Sequence, residues 1–350
     1  MHLGQLLFVI AALLLASPIR ASPGERQSTA GQLRTGAVEE SRFIPVGGIQ
    51  QWLTISGSDR SNPVVLFLHG GPGNPLSPYS RSLYGRWAKD FTIVQWDQRG
   101  AGRTFEANPQ SANTALTIDR MASDGIEVTE YLMRHLGHPK VLLVGGSWGS
   151  ALGVHMVARR PDLFHAYVGV GQLVSEHANQ AASLHQLRLL AAAANDQVTL
   201  DGITALGAPP WRDPRNFGKL RRLTRTYEAK VVEPAPAAWW VPDPAYATPA
   251  YERAYEAGEE YSYLQFVGAT GGGLLSKIDL SLLGTKFDVP IYLVQGADDL
   301  VTVPAVARAW FDTIAAPRKQ FVLVPKAGHD PNRPLNEALY AILKAAPLKR

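Results

Sequence analysis

The 350-residue chain contains no cysteine. Without thiols it cannot form disulfides, thiolate metal sites or a cysteine nucleophile, and it cannot carry the cysteine-linked lipid of a lipoprotein. The excess of positive over negative charge is also small, since 34 basic and 30 acidic residues leave a net charge of +4. The excess is scattered along the chain, which predicts no nucleic-acid partner. The densest basic cluster, which is expected to form one solvated helix face, consists of Lys219, Arg221, Arg222 and Arg225.

Apolar runs long enough to cross a bilayer are missing from the sequence, because a spanning helix needs about 20 residues. The N-terminal run from Leu6 to Ala16 has only eleven residues, and small residues follow it up to Ala21. This pattern predicts that residues 1–21 are a secretory signal peptide. We therefore expect an exported protein, periplasmic or secreted, that has no membrane attachment after cleavage. An uncleaved anchor is the alternative.

Short apolar runs alternate with longer helical patterns over most of the chain. Near-continuous aliphatic runs are typical of strands that are buried on both faces of a parallel sheet. Such runs occupy 63–68, 91–96, 140–144, 289–294 and 320–324. Helical patterns cover 121–136, 149–160 and 335–345, and Gly47-Gly48 predicts a β-hairpin over 42–55. The alternation predicts an α/β fold with a covered sheet.

The composition also suggests how the chain is divided. Polar residues 22–41 are expected to form a flexible lead-in. The α/β core is predicted in two parts, 42–171 and 287–350. Between them, 172–286 is rich in Ala, Pro, Trp and Tyr and contains no convincing pattern of a buried strand. We therefore expect a helical cap inserted between the two halves of the sheet.

The segment Gly145-Gly146-Ser147-Trp148-Gly149 directly follows a buried run and opens a helical pattern. A serine hydroxyl is a weak nucleophile unless a tight turn exposes it beside a base. The G-x-S-x-G pattern between a strand and a helix supplies such a turn. Ser147 is therefore the candidate nucleophile.

A second glycine-rich segment, His69-Gly70-Gly71-Pro72-Gly73, ends the first buried run. Acyl transfer develops an oxyanion, which two preorganised backbone N–H groups commonly bind. Glycines let the backbone approach a substrate closely, so we assign the oxyanion hole to the N–H groups of Gly71 and Trp148. His69 itself is expected to structure the loop rather than to act as a base.

A serine nucleophile needs a base, and His329 follows the last buried run of the chain. Loops at the carboxyl ends of strands are where open α/β sheets place their active residues. The alternative is a solvent-exposed loop histidine. Asp298 and Asp299 follow the preceding run, and either carboxylate could orient the imidazole. The chain order Ser, Asp, His is the order expected for α/β-hydrolases.

Three segments together resemble the proline iminopeptidase family of α/β-hydrolases: His69–Gly73, Gly145–Gly149 and Trp-Asp-Gln-Arg-Gly-Ala-Gly-Arg-Thr at 96–104. The resemblance covers the core, roughly residues 42–171 and 287–345. It implies a mostly parallel eight-stranded sheet with helices on both faces and an inserted helical cap.

The same resemblance implies roles for individual residues. It makes Ser147 the nucleophile and His329 the base. It selects Asp299 over Asp298, because the family's acid lies three residues after the glycine that ends its strand. The loop that follows Trp96 is implied to be mainly architectural, and it contains Asp97, Gln98 and Arg99.

Family resemblance further implies cleavage of an amide or peptide bond beside a free N-terminus, through an acyl-enzyme and with no metal or organic cofactor. The expected partner is a small-molecule or short-peptide substrate, and no oligomeric state is implied. A carboxylesterase or lactonase with the same triad is the first alternative. A non-catalytic binding protein on the same fold is a more remote one.

The cap matches the family less well than the core. The family's cap carboxylates bind the substrate's amino group, but the string that carries one of them has no counterpart here. Glutamates that could serve, although surface positions are favoured for them, are Glu176, Glu228, Glu256, Glu259 and Glu260. Trp239 and Trp240 could line an apolar substrate pocket or simply pack the cap.

Overall fold

The computed structural model describes residues 35–71, 73–109 and 115–348. The predicted signal peptide, most of the predicted lead-in and Pro72 therefore lie outside the described residues. The strands within these ranges are β1 (Val38–Val46), β2 (Ile49–Gly57), β3 (Val64–Leu68), β4 (Thr92–Asp97), β5 (Val141–Gly146), β6 (Phe164–Val170), β7 (Ile291–Gly296) and β8 (Lys319–Val324).

Helices separate most of these strands and also form the segment between β6 and β7. The α-helices of the described residues are α1 (Ser80–Tyr84), α2 (Gly102–Ala107), α3 (Ile118–Leu136), α4 (Trp148–Arg159), α5 (Glu176–Ala193), α6 (Gln197–Leu206), α7 (Arg215–Glu228), α8 (Pro249–Phe266), α9 (Pro304–Thr313) and α10 (Arg333–Ala345).

The eight strands form one sheet in the order β1-β2-β4-β3-β5-β6-β7-β8. Strand β2 pairs antiparallel with β1 and with β4, whereas the remaining neighbours pair in parallel. The predicted hairpin turns at Gly47 and Gly48, whose φ angles of 56° and 79° suit glycine. The predicted fold class, a mostly parallel eight-stranded sheet, is confirmed.

Burial on both faces of the sheet explains why its central strands have continuous apolar sequences. Side chains alternate between the two faces of a strand. In β3, Leu66 and Leu68 belong to one hydrophobic cluster, which includes residues of α3 and α4. Val65 and Phe67 belong to a second cluster on the opposite face, which includes residues of α1 and α10. Helices therefore cover both faces.

Three features of the sheet differ from the sequence-based prediction. The run 320–324, predicted to be buried on both faces, lies in β8, which is at the edge of the sheet and is mostly exposed or half-buried. Strand β6 was not predicted, because its sequence includes His165 and Gly169, which interrupt the apolar pattern. Strand β1 begins at Val38, inside the predicted lead-in, because Val38 pairs with Gly57 at the far end of the hairpin. The hairpin is thus longer at both ends than the predicted 42–55.

Between β6 and β7 the chain forms helices α5 to α8. Leucines of α5 and α7 form a third hydrophobic cluster, which also contains Leu300 from the loop after β7. The helices are therefore packed directly against a loop of the sheet. Within the described ranges, no helix is long and apolar enough to span a bilayer.

Candidate active site

Ser147 lies at the sharp turn between β5 and α4. Its φ of 51° and ψ of −120° are a strained conformation for a residue with a side chain. A Cβ atom on Gly149 would lie 2.1 Å from the carbonyl oxygen of Leu68, and one on Gly145 would lie 2.3 Å from that of Gly149. Glycine at both flanking positions therefore lets the turn pack against β3 and present Ser147.

The structure brings the three predicted residues Ser147, His329 and Asp299 together. Ser147 Oγ lies 3.0 Å from Nε2 of His329. Nδ1 of the same imidazole lies 3.0 Å from Oδ2 and 3.2 Å from Oδ1 of Asp299. An ionised carboxylate only accepts hydrogen bonds, so Nδ1 carries the proton. Nε2 is then free to accept the proton of the serine hydroxyl.

Asp299, rather than Asp298, contacts the imidazole. The Asp299 carboxylate also accepts hydrogen bonds of 2.8 Å from the backbone N–H groups of Val301 and Thr302. Burial alone would raise the pKa of Asp299, but the His329 ring and these hydrogen bonds together hold it below its usual range. The buried carboxylate therefore stays ionised and can stabilise an imidazolium.

Glu228, at the end of cap helix α7, binds the backbone on both sides of this pair. Its carboxylate accepts hydrogen bonds from the N–H of Leu300 at 2.8 Å and from the N–H of His329 at 3.1 Å. Burial and the nearby Asp299 charge raise the pKa of Glu228. The sequence favours a surface position for Glu228, with amine binding as the alternative, and the surface position is wrong because Glu228 is only 5% exposed. The spacing along the chain could not show that it links two distant loops.

The predicted oxyanion-hole residues border the same serine. Trp148 is the first residue of α4, where backbone N–H groups have no partner within the helix. Gly71 lines the cavity that contains Ser147. A Cβ on the preceding Gly70 would lie 3.1 Å from Cβ of Ser147, so the glycine loop passes very close to the serine.

His69 and Gln98 join the glycine loop to the loop after β4. The Gln98 N–H donates to Nε2 of His69 at 3.2 Å, and the Gln98 amide donates to the His69 carbonyl at 3.0 Å. Trp148 Nε1 donates to Gln98 Oε1 at 3.0 Å. Burial lowers the pKa of His69 to about 4, so its ring is neutral at pH 7. His69 therefore holds the glycine loop and the loop after β4 together through its hydrogen bonds to Gln98.

Asp97 and Arg99, from the same loop, make buried contacts away from Ser147. Burial raises the pKa of Asp97 to about 6, and its carboxylate accepts from Ser77 and from the N–H of Arg103. Arg99 Nε donates to Asp124 on α3 at 2.8 Å. Gly73, which has a φ of 66°, packs against cap helix α8. These contacts connect the loop to its surroundings.

Two cavities meet at Ser147. The first, of about 390 Å³, reaches between β3 and α10 and is lined mainly by apolar side chains such as Phe67 and Leu339. The second, of about 240 Å³, reaches under the cap and is lined by more polar side chains, including Asn179 and Gln180. The residues common to both are Gly71, Asn74, Ser147, Arg221, Arg225 and Glu259.

The cap glutamates occupy different surroundings. Glu259 lines both cavities and accepts a 2.7 Å hydrogen bond from Asn74. Glu176 lines the second cavity, and burial raises its pKa. Glu256, Glu259 and Glu260 are all exposed, as the sequence predicts, but Glu256 and Glu260 line neither cavity.

The two cap tryptophans, Trp239 and Trp240, also differ in their surroundings. Trp240 lines the first cavity and packs edge-on against Tyr79, with ring centroids 5.5 Å apart. Trp239 packs against the hydrophobic cluster on the α10 face of the sheet. Adjacent residues in the chain therefore have different surroundings, and Trp239 does not line a cavity at Ser147.

The basic cluster of α7 is only in part the solvated face that its sequence predicts. Lys219, Arg222 and Arg225 are exposed, whereas Arg221 is half-buried. Arg221 and Arg225 line both cavities. The prediction is wrong for Arg221, because helical spacing shows which residues share a face but not what packs over it. In the parts of the chain that the structure describes, no group of three or more His, Asp or Glu side chains could hold a metal ion.

Comparisons with known proteins agree with this architecture. The family model described as the alpha/beta hydrolase fold matches residues 63–332, well over half of the chain. A probable aminopeptidase, YbaC, from Bacillus subtilis is 27% identical over 304 residues, which cover 83% of this chain and 90% of the relative. The proline iminopeptidase of Neisseria gonorrhoeae is 28% identical over 326 residues, which cover 85% and 93%.

A solved structure extends the comparison to the fold. The proline iminopeptidase of Mycobacterium smegmatis superposes with a TM-score of 0.61 at 18% identity, covering 87% of this chain and 97% of that one. Because the family model spans both halves of the sheet and the cap between them, the chain belongs to the α/β-hydrolase fold family and, within it, is similar to the proline iminopeptidases.

Proposed function

We propose that this protein is a serine hydrolase that cleaves an amide or peptide bond beside a free N-terminus through an acyl-enzyme. The observation that carries the proposal is the continuous chain of hydrogen bonds from Asp299 through His329 to Ser147, which opens into two cavities. Relatives named proline iminopeptidase and aminopeptidase support the class of bond.

In the proposed mechanism, Ser147 Oγ attacks the substrate carbonyl carbon while His329 Nε2 takes its proton. The ionised Asp299 holds the imidazole in the required tautomer and stabilises the imidazolium. His329 then donates the proton to the leaving amine. A water molecule attacks the acyl-enzyme with His329 again acting as base, and this step releases the acid and restores Ser147.

The tetrahedral intermediates carry an oxyanion that needs hydrogen-bond donors. The N–H of Trp148, at the start of α4, and the N–H of Gly71 border Ser147 and would supply them. The partial positive charge at the N-terminus of a helix favours an anion at this place as well.

Glu259 is the cap carboxylate best placed to bind a substrate ammonium. It lines both cavities that contain Ser147, and Asn74 holds one of its oxygens at 2.7 Å. The apolar wall of the first cavity, with Trp240 and Tyr79, suits a proline ring or another apolar residue beside the scissile bond.

Hydrolysis of proline p-nitroanilide and of p-nitrophenyl acetate, measured with wild type and Ser147→Ala, tests the proposal. We expect both substrates to be cleaved by wild type and neither by the variant. Cleavage of the ester alone would retain the serine hydrolase chemistry but overturn the aminopeptidase activity. Cleavage of the anilide by Ser147→Ala would overturn the proposed nucleophile.

Export of the protein is part of the proposal, and the apolar run that precedes Ala21 supports it. The intact mass of the protein from the extracytoplasmic fraction of a bacterial host tests this directly. We expect the mass of a chain that begins near Ser22. Full-length protein confined to the cytoplasm would contradict the signal peptide.

A further inference from the structure

Arg221, on cap helix α7, lines both cavities that contain Ser147. Its Nη1 is buried and has no hydrogen-bond partner among residues 35–71, 73–109 and 115–348. Arg225, one turn further along the helix, is different, because its Nε lies 3.3 Å from Oδ2 of Asp330. Both arginines line the same two cavities, but within the described part of the chain only Arg225 has an ion-pair partner.

The carboxylates around Arg221 are already bound to other groups. Asp330 pairs with Arg225, Asp299 with His329, and Glu228 with two backbone N–H groups. Burial lowers the pKa of Arg221, although these carboxylates act in the opposite direction. Arg221 as a whole is half-buried, but its Nη1 is buried. A buried donor is costly to leave unpaired, so a partner from outside the chain is the simplest way to satisfy it.

The second cavity offers a complementary acceptor. Asn179, on α5, is buried with its Oδ1 unpartnered in the described part of the chain, while its Nδ2 donates to the carbonyl of Ser175 at 3.1 Å. The cavity therefore combines a cationic donor, Arg221, with a neutral acceptor, Asn179. A ligand that fits it presents both an anionic oxygen and an N–H group.

We propose that Arg221 binds a carboxylate of the substrate, so that the enzyme prefers dipeptides to peptides whose C-terminus is amidated. The inference rests on the proposed peptidase function. In a dipeptide, a single α carbon separates the scissile nitrogen from the terminal carboxyl carbon, and this carboxylate stays close to Ser147. Guanidinium and carboxylate groups form paired hydrogen bonds that an uncharged amide does not reproduce.

The test compares kcat/KM for prolylglycine and prolylglycinamide. With wild type we expect a preference for the dipeptide of about 10-fold or more, which is typical of a charge-assisted pair. Arg221→Met is expected to remove the preference by slowing the dipeptide alone, and Arg221→Lys to retain part of it. Arg222→Met, on the same helix but outside both cavities, is the matched control and keeps the wild-type ratio.

An equal loss for both peptides in Arg221→Met, or no preference in wild type, overturns the inference. Thermal unfolding of each variant shows whether the fold is intact. If wild type cleaves neither peptide, the proposed peptidase function is wrong, but this result does not decide whether Arg221 binds a carboxylate. The inference is then decided by how well each peptide protects Ser147 from a fluorophosphonate probe. Protection by prolylglycine that depends on Arg221 supports it, whereas equal or absent protection by the two peptides overturns it.

Discussion

The sheet and the cap contribute to the same cavities in opposite ways. On the sheet side, Ser147, His329 and Asp299 are hydrogen-bonded to one another and to the surrounding backbone. On the cap side, Arg221 and Asn179 each have a buried polar atom without a partner in the described chain. The reaction is faster when the reacting groups are aligned before the substrate binds. Groups that recognise the substrate, in contrast, obtain their hydrogen-bond partners from it.

Glu228 connects these two regions. It belongs to cap helix α7, yet its carboxylate binds the backbone of the loops that carry Asp299 and His329. The two regions therefore differ in whether their polar groups have hydrogen-bond partners, and they are not separate in space. Substitutions on either side should separate an effect on chemistry from an effect on substrate binding.

The largest expected effect is that of Ser147→Ala, which removes the proposed nucleophile. We expect kcat/KM on proline p-nitroanilide to fall by about 10⁶-fold. The temperature of unfolding should stay close to that of wild type, because alanine fills nearly the same space. Activity close to that of wild type would show that the chemistry does not begin at this hydroxyl.

Asp299→Asn should come next, with a fall in kcat of about 10⁴-fold. An amide oxygen can still accept from the N–H groups of Val301 and Thr302, but an amide does not stabilise the imidazolium. Asp298→Asn is the matched control, and its kcat should stay close to that of wild type. Equal losses in the two variants would remove Asp299 from the proposed chain.

A smaller effect is expected for Glu228→Gln. The glutamine amide can accept from only one of the two N–H groups and directs its own N–H at the other, which disturbs the His329 backbone. We expect kcat to fall on the order of 100-fold with little change in KM. The exposed Glu256→Gln serves as control. A rise in KM at constant kcat would instead assign Glu228 to substrate binding.

The smallest expected effect concerns stability and pH. The folded pKa of His69, about 4, lies below the ordinary value of 6.5, so at pH 4–6.5 the unfolded chain binds more protons. Keeping the His69 ring neutral therefore does not reduce the free energy of unfolding above pH 6.5. As the pH falls from 7 to 5, the protonation of His69 in the unfolded chain lowers that free energy by about 2 kcal/mol. Urea unfolding at the two pH values measures it.

In His69→Gln, the difference in unfolding free energy between the two pH values should shrink by this amount. His155 and His165, whose pKa values burial also lowers to about 4, leave part of the pH dependence in place. An unchanged difference in His69→Gln would mean that this ring is not held neutral between the glycine loop and Gln98.

Local patterns in the sequence predicted most of the sheet and the position of Ser147. The runs that became β3, β4, β5 and β7 are mainly apolar because both faces of those strands are buried. The run that became the edge strand β8 is mainly apolar as well, although most of its residues are exposed or half-buried. The turn at Ser147 needs small neighbours at Gly145 and Gly149, and its sequence shows them directly. Strand β6 was missed, since His165 and Gly169 obscure the same signal.

Choosing between Asp298 and Asp299 required more than a local pattern, because adjacent residues in one loop carry the same chemistry. The family resemblance selected Asp299, and the structure has its carboxylate beside the His329 ring. Trp239 and Trp240 present the same difficulty, and only the packing of the chain distinguishes them.

The amino-acid sequence by itself determined the α/β class, the strand–turn–helix around Ser147 and the chain order of the proposed reacting residues. All of these depend on residues that are neighbours in the chain. Tertiary structure alone decided that Glu228 binds the His329 backbone and that Arg221 faces the cavities rather than solvent. The physical reason is that a helix specifies its own faces, whereas what covers each face is set by distant segments that pack against it.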